Sequence, residues 1–143
     1  MKNNRLHIII PALLLLSISC KKNDNTPPAY DILLRQNLQK ATWGVKYLWE
    51  NNAEYTSVFE GRQIRFSSDS IIYFQDSISI DSLATYSIDK YKEMTYLRID
   101  SVFQTKYRKM AGEWTLLNMN SVEIRLYRNV LAGLATDMFI ISK

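Results

Sequence analysis

Cys20 is the one thiol in the chain and His7 the one imidazole. Most nucleophilic, metal and redox chemistry open to this sequence therefore passes through two side chains near its start. Cys20 stands directly behind an apolar run with a basic head. Met1-Lys2-Asn3-Asn4-Arg5 is positively charged, Ile8 to Ile18 is nearly continuous hydrocarbon, and Ser17-Ile18-Ser19 places small residues before the cysteine. That layout is a bacterial lipoprotein export signal: Cys20 becomes the first residue of the mature protein and carries acyl chains. The twelve residues from Ile8 to Ser19 fall well short of the ~20 a membrane-spanning helix needs. Pro11 and the polar segment after Cys20 argue against a core helix, so residues 1–19 read as a leader outside the fold. At roughly 0.8 kcal/mol per buried methylene, more than one acyl chain makes a stable anchor.

Removing the leader leaves 124 of 143 residues, enough for one domain with its own core. Losing Lys2 and Arg5 takes Lys plus Arg from 18 to 16 against 14 acidic residues, a net charge of +2. A nearly neutral chain gives little support to nucleic-acid binding. His7 leaves with the leader, and lipidation consumes Cys20. The mature chain then lacks the groups for Ser-His-Asp or Cys-His catalysis, thiol redox chemistry, disulfides and ordinary zinc sites. The expectation is a protein with no catalytic residues, no metal and no cofactor.

What chemistry remains is carried by carboxylates, cations and aromatic rings. Asp76, Asp81, Asp89 and Asp100 fall near expected strand ends, where a polar turn residue is the commoner role. A glycosidase needs two carboxyl groups about 5–10 Å apart across a cleft. The four glycines, Gly44, Gly61, Gly112 and Gly133, are scattered and form no phosphate loop, and no EF-hand spacing occurs. Arg62, Arg65, Lys90, Lys92, Lys106, Arg108 and Lys109 interleave with Tyr91, Tyr96 and Tyr107, a mixture that single-strand binders use. Glu93 and Asp100 dilute that charge, and a solvated barrel exterior fits it better. Trp43, Tyr47 and Trp49, with Tyr86 and Trp114, are the candidate ligand-binding residues, as one wall of a small apolar pocket or a sugar-stacking surface. The same placement also serves as plain barrel core.

These side chains need elements to position them. Lys21 to Pro28 is polar and proline-terminated, a tether between Cys20 and the domain. From Ala29 to Ala41, Ile32, Leu33, Leu34 and Leu38 form an apolar stripe opposite Arg35, Gln36, Gln39 and Lys40, which predicts a short helix entered through Pro28. From Thr42 the period becomes two, with Trp43, Val45, Tyr47 and Trp49 alternating against Gly44, Lys46 and Leu48. Further strands are expected around Ile64–Phe66, Ile71–Phe74, Ser77–Ile80, Ala84–Ile88, Tyr96–Ile99, Trp114–Leu117, Val122–Tyr127 and Met138–Ile141. Phe103, Tyr107 and Met110 break the rhythm and predict a short helix over 102–110, with Ser101 as N-cap and Gly112 past its end. The mostly apolar connector Val130 to Thr136 is a lid, a partner-binding loop or a buried hairpin end. So many short strands without βαβ alternation predict an antiparallel barrel or sandwich. A closed up-and-down barrel removes exposed edges, and with eight strands its interior is either filled or holds one small ligand.

The order of these pieces resembles the small lipocalin-like lipoproteins of the Bacteroidota. Leu38 through Trp43-Gly44-Val45 is similar to the opening Trp-x-Val strand after a helix. Glu54 to Gly61 is similar to the excursion before the second strand, and Ile64 to Ser70 to the strand and turn that follow. Ala84-Thr85-Tyr86-Ser87-Ile88 stands where a Gly-Thr-Trp-like strand belongs. Gly112 to Leu116, Val122 to Leu126 and Phe139 to Lys143 resemble the closing strands. The likeness covers residues 38–143 and departs at Asp69-Ser70, where a glycine turn is usual, and at Ala84. It implies an eight-stranded antiparallel up-and-down barrel over 29–143 with one helix before it and one near 102–110. Lys21 after the cysteine implies the outer membrane by the same likeness. The functional expectation is a non-catalytic, lipid-anchored envelope protein that binds a small apolar or glycan-like ligand or a protein partner. The alternative is a structural or inhibitory protein with a filled barrel.

Overall fold

The computed structural model describes residues 29–75, 79–131 and 134–143. The expected leader and the Cys20 tether lie outside the described residues, as do Asp76 and Ser77. The chain begins with helix α1 (Tyr30–Lys40). It continues through β1 (Thr42–Glu50), β2 (Ala53–Glu54), β3 (Gln63–Phe66), β4 (Ile71–Gln75), β5 (Ile80–Tyr91), β6 (Met94–Asp100), β7 (Gly112–Met119), β8 (Glu123–Leu131) and β9 (Leu134–Ser142). Successive strands pair antiparallel, and β1 also pairs with β9. Eight strands thus close an up-and-down barrel, with two-residue β2 folded back on the end of β1. Closure leaves the barrel strands no free sheet edge of the kind that templates aggregation. Among the described residues no helix is long and apolar enough to cross a membrane.

Period-two burial dominates, as in β3 and β6, where alternate residues face the core. Three bulges interrupt it. Lys46 is the extra residue on β1, Leu83 on β5 and Leu117 on β7, as the pairings on either side of each register shift require. Each bulge moves the residues beyond it to the other face. Ser77 and Ile78 of the expected strand Ser77–Ile80 lie outside the described residues; Ile80 joins the expected Ala84–Ile88 in one twelve-residue strand, Ile80–Tyr91, whose bulge makes neighbouring Leu83 and Ala84 both buried.

The barrel ends are closed differently. At the end where β1 starts, α1 lies across the opening and inserts Leu34 and Leu38, both fully buried. Ile32 stays exposed, so the inserted face is narrower than the apolar stripe in the sequence. At the opposite end a 3-10 turn (Thr56–Phe59) and a 3-10 helix (Thr105–Met110) bring in Phe59, Tyr107 and Met110. The expected short helix over 102–110 forms over Thr105–Met110 as a 3-10 helix, in which Tyr107 and Met110, three residues apart, share a face. Ser101 sits at φ 49 outside it, and Phe103 is exposed. Asp69-Ser70 closes its hairpin without glycine because Ser70 adopts φ 66 and the Ser67 hydroxyl accepts from the Ile71 amide at 3.1 Å. Val130 and Leu131 pair with Ala135 and Leu134, so the described residues of the apolar connector belong to β8 and β9.

Between the lids the barrel is packed with side chains. Trp43, Trp114, Tyr107, Phe66 and Phe139 are the largest of the fully buried residues, in one cluster with Leu48, Ile64, Ile72, Leu97, Ile124, Leu126 and Ile141.

Candidate docking wall

The five candidate aromatic residues do not form one site. Trp43 and Trp114 are fully buried and Tyr86 is 3 % exposed. Each has a structural partner. The Trp43 indole N–H donates to the Leu38 carbonyl at 3.1 Å, the last turn of α1. The Trp114 indole N–H donates to the Met110 carbonyl at 2.8 Å, the end of the 3-10 helix. The Tyr86 hydroxyl donates to the Ser67 carbonyl at 2.6 Å and accepts from the Gln39 amide at 3.0 Å. Satisfied N–H and O–H groups inside an apolar cluster are the ordinary condition of core tryptophan and tyrosine.

Tyr47 and Trp49 sit elsewhere. The extra residue at Lys46 turns them outward and Leu48 inward, so the single aromatic line expected along β1 is split between two faces. Their rings stack at 6.1 Å between centroids and 10° between planes. Register places further apolar residues beside them. Tyr127 on β8 pairs with Met138 on β9, and Met138 with Trp49; Ile140 on β9 pairs with Tyr47. All five are half-buried on the outer wall. This row across β8, β9 and β1 is the candidate site: an outward aromatic platform backed by a rigid sheet.

Its rim is charged. The Lys46 ammonium and Arg125 guanidinium donate to the two Glu123 oxygens at 2.7 and 2.5 Å. Those hydrogen bonds, Lys46's first and Arg125's second, hold the Glu123 carboxyl below its ordinary range. A salt-bridged rim around an aromatic centre resembles a protein interface more than an ion site. The signal for Tyr127, Met138 and Ile140 was present as alternation within the β8 and β9 segments. The bulge that joins them to Tyr47 and Trp49 had no visible mark.

A second cluster went unread in the sequence. Arg128, Asp137 and Glu50 occupy inward positions at the end opposite α1. The Arg128 guanidinium donates to Asp137 at 3.1 Å, to Glu50, and to the Ala111 and Lys109 carbonyls, the latter at 3.1 Å. It also lies 4.1 Å from the Trp114 ring centroid. Asp137, 1 % exposed, accepts from the Asn51 amide at 3.1 Å. The Lys109 ammonium reaches Glu50 at 2.9 Å, and that hydrogen bond and charge raise its pKa above the ordinary lysine value. Two cations and two carboxylates balance. The readable clue was Ile124-Leu126-Arg128, an arginine on the core parity of a strand.

The strand-end acids stay apart. Asp81 and Asp89 lie eight residues apart on β5, roughly 26 Å at about 3.3 Å per residue. Asp100 pairs with Thr85 between them, roughly 13 Å from each by the same spacing. All three are exposed, and Asp76 lies outside the described residues. Tyr107 of the basic-aromatic mixture is fully buried beneath the Arg62 guanidinium, 5.9 Å from its ring centroid. Among the described residues no three of His, Cys, Asp and Glu gather around a common point to hold a metal.

No family model, no curated protein and no solved structure matches the chain.

Proposed function

We propose that the protein is a non-catalytic, lipid-anchored protein of the outer envelope that works through its outer wall, by docking a protein partner on the Tyr47–Trp49 face. The observation that carries the reading is the filled interior. Trp43 and Trp114, two of the expected pocket-wall residues, are both fully buried and bonded to the lids. An eight-stranded barrel holds a ligand only when side chains leave its centre open. The working surface then lies outside, where Tyr47, Trp49, Tyr127, Met138 and Ile140 put aromatic and thioether groups of the kind enriched at interface centres on a flat sheet.

A second reading keeps the same face and changes the ligand. The near-parallel Tyr47 and Trp49 rings offer a plane on which a glycan-like ligand can stack. Both readings keep small apolar ligands out of the barrel.

A photo-crosslinker at Ile140 in membranes of the producing organism is expected to capture one protein reproducibly, and Trp49→Ala to abolish capture with little change in Tm. Saturable glycan binding that Trp49→Ala removes, without protein capture, selects the second reading. A fatty acid or similar apolar probe that binds stoichiometrically and shifts the emission of buried Trp43 or Trp114 overturns both.

A further inference from the structure

We propose that the α1 end of the barrel is a membrane-docking face, resting against the interfacial layer of the bilayer; this rests on the anchoring of Cys20 proposed above. Among the described residues eight large hydrophobic side chains are exposed: Tyr30, Ile32, Ile80, Tyr91, Met94, Phe103, Leu117 and Val122. Only Ile80 and Phe103 belong to the opposite end, at the start of β5 and in the β6–β7 connection. The other six lie on α1, the β5–β6 hairpin, the last part of β7 and the β7–β8 turn, which meet at one end. Scattered exposed apolar residues are ordinary, but their gathering at one end marks a contact surface.

The details fit a lipid surface. Tyr30, Met94, Leu117 and Met119, together with Glu93 and Asn118, line a cleft of about 270 Å³ beside α1. Leu117 is the extra residue of the β7 bulge, and bulges re-aim side chains; here the side chain turned outward is a leucine, 55 % exposed. Tyr91 pairs with Met94 across the hairpin, and the Lys92 ammonium lies 5.4 Å from the Tyr91 ring centroid. Tyrosine with an apolar ring and polar tip suits the headgroup layer, and lysine extends its charge toward water and phosphate. On the hairpin Glu93 and Asp89 offset Lys90 and Lys92, so apolar contact carries the docking there.

Chain length selects the bilayer over other occupants. Ala29, the first described residue, leads directly into Tyr30 on this face. The nine residues from Cys20 to Pro28 span at most about 30 Å even when fully extended. An acylated Cys20 therefore holds this end close to the lipid, and leaves the Tyr47–Trp49 wall rising from the membrane.

The test uses the full chain, processed in a lipoprotein-exporting host and reconstituted in phosphatidylcholine vesicles, with and without anionic lipid. Leu117→Cys and Phe103→Cys, both at exposed positions, carry a polarity-sensitive label. The label at 117 is expected to be quenched by spin-labelled lipid several-fold more than the label at 103, in both vesicle types. Equal quenching overturns the docking. A label at 117 that is shielded without vesicles assigns the face to a second copy and overturns it as well. The mass of the N-terminal peptide reads Cys20 separately. Acyl chains with equal quenching refute the docking and leave the anchor, whereas an unmodified Cys20 removes the premise itself.

Discussion

The two ends of the barrel use one latch and back it with opposite chemistry. At each, a buried tryptophan donates its indole N–H to the last carbonyls of the helix that closes the opening: Trp43 to Leu38, Trp114 to Met110. At each, a cation lies over the tryptophan ring, Lys143 at 5.4 Å and Arg128 at 4.1 Å. Behind Trp43 the plug is hydrocarbon, Leu34 and Leu38, and the cation is solvent-exposed. Behind Trp114 the cation is nearly buried and tied to Glu50 and Asp137. Closing a barrel thus requires a rigid seam, and either apolar insertion or a balanced charge network supplies it. The first is expected to tolerate loss of its cation and the second is not.

The largest contrast lies in the cations. Arg128→Met takes the guanidinium from Asp137 and leaves Glu50 with Lys109 alone, in a site nearly closed to water, where removing one partner of a buried pair costs about 3–5 kcal/mol. Lys143→Met gives up one exposed cation–π contact, worth roughly 0.5–1 kcal/mol. Urea denaturation of the two variants checks the ordering, and similar losses would show the ends to be alike. Leu38→Ala probes the hydrocarbon plug instead and is expected to cost about 2–5 kcal/mol. Leu38→Met, near in volume, is expected to cost under about 1.5 kcal/mol.

A finer test concerns the latch. Trp43→Phe and Trp114→Phe each leave a buried carbonyl unpaired, for about 1–3 kcal/mol. Hydrogen exchange locates the effect: the first variant should loosen α1 amides and the second those of 105–110. Gly112 sharpens the charged end. It holds φ +112, and a Cβ there would lie 2.8 Å from the Arg128 guanidinium. Gly112→Ala is expected to cost about 1–3 kcal/mol through strain. Combined with Arg128→Met it should cost less than the sum, because the clash disappears with the guanidinium.

The smallest effect is electrostatic and lies on the wall between the ends. The Glu123 carboxyl is held below its ordinary value by Lys46 and Arg125. A depressed folded pKa contributes stability that is present above the unfolded value, near pH 4.5, and lost as pH falls through the folded one. Lys46→Met should move the Glu123 carboxyl resonance back toward the ordinary range and flatten the acid limb of the stability profile. An unchanged titration would mean that the rim is not a bonded unit.

Much of this was legible beforehand, for local reasons. Period-two runs marked the strands, the Leu34–Leu38 stripe marked α1, and the lack of βαβ alternation marked an antiparallel barrel or sandwich. The candidate site was only half legible. Tyr47 and Trp49 were singled out, but in company with Trp43, Tyr86 and Trp114, which the core absorbed. Lys46, Leu83 and Leu117 look like ordinary strand residues, and each became an inserted one because the partner strand is a residue shorter there. A bulge is a property of a pair of strands, so one strand's sequence does not announce it.

Alternation and composition by themselves determined an antiparallel β domain, barrel or sandwich, with a short helix before it, because side-chain period dictates which faces must be buried. Whether the centre is open, which aromatics face water, and how Arg128 meets Glu50 across 78 positions were decided only when the strands met. Those outcomes depend on volume filled and charge neutralised in three dimensions, quantities that have no value along a single strand.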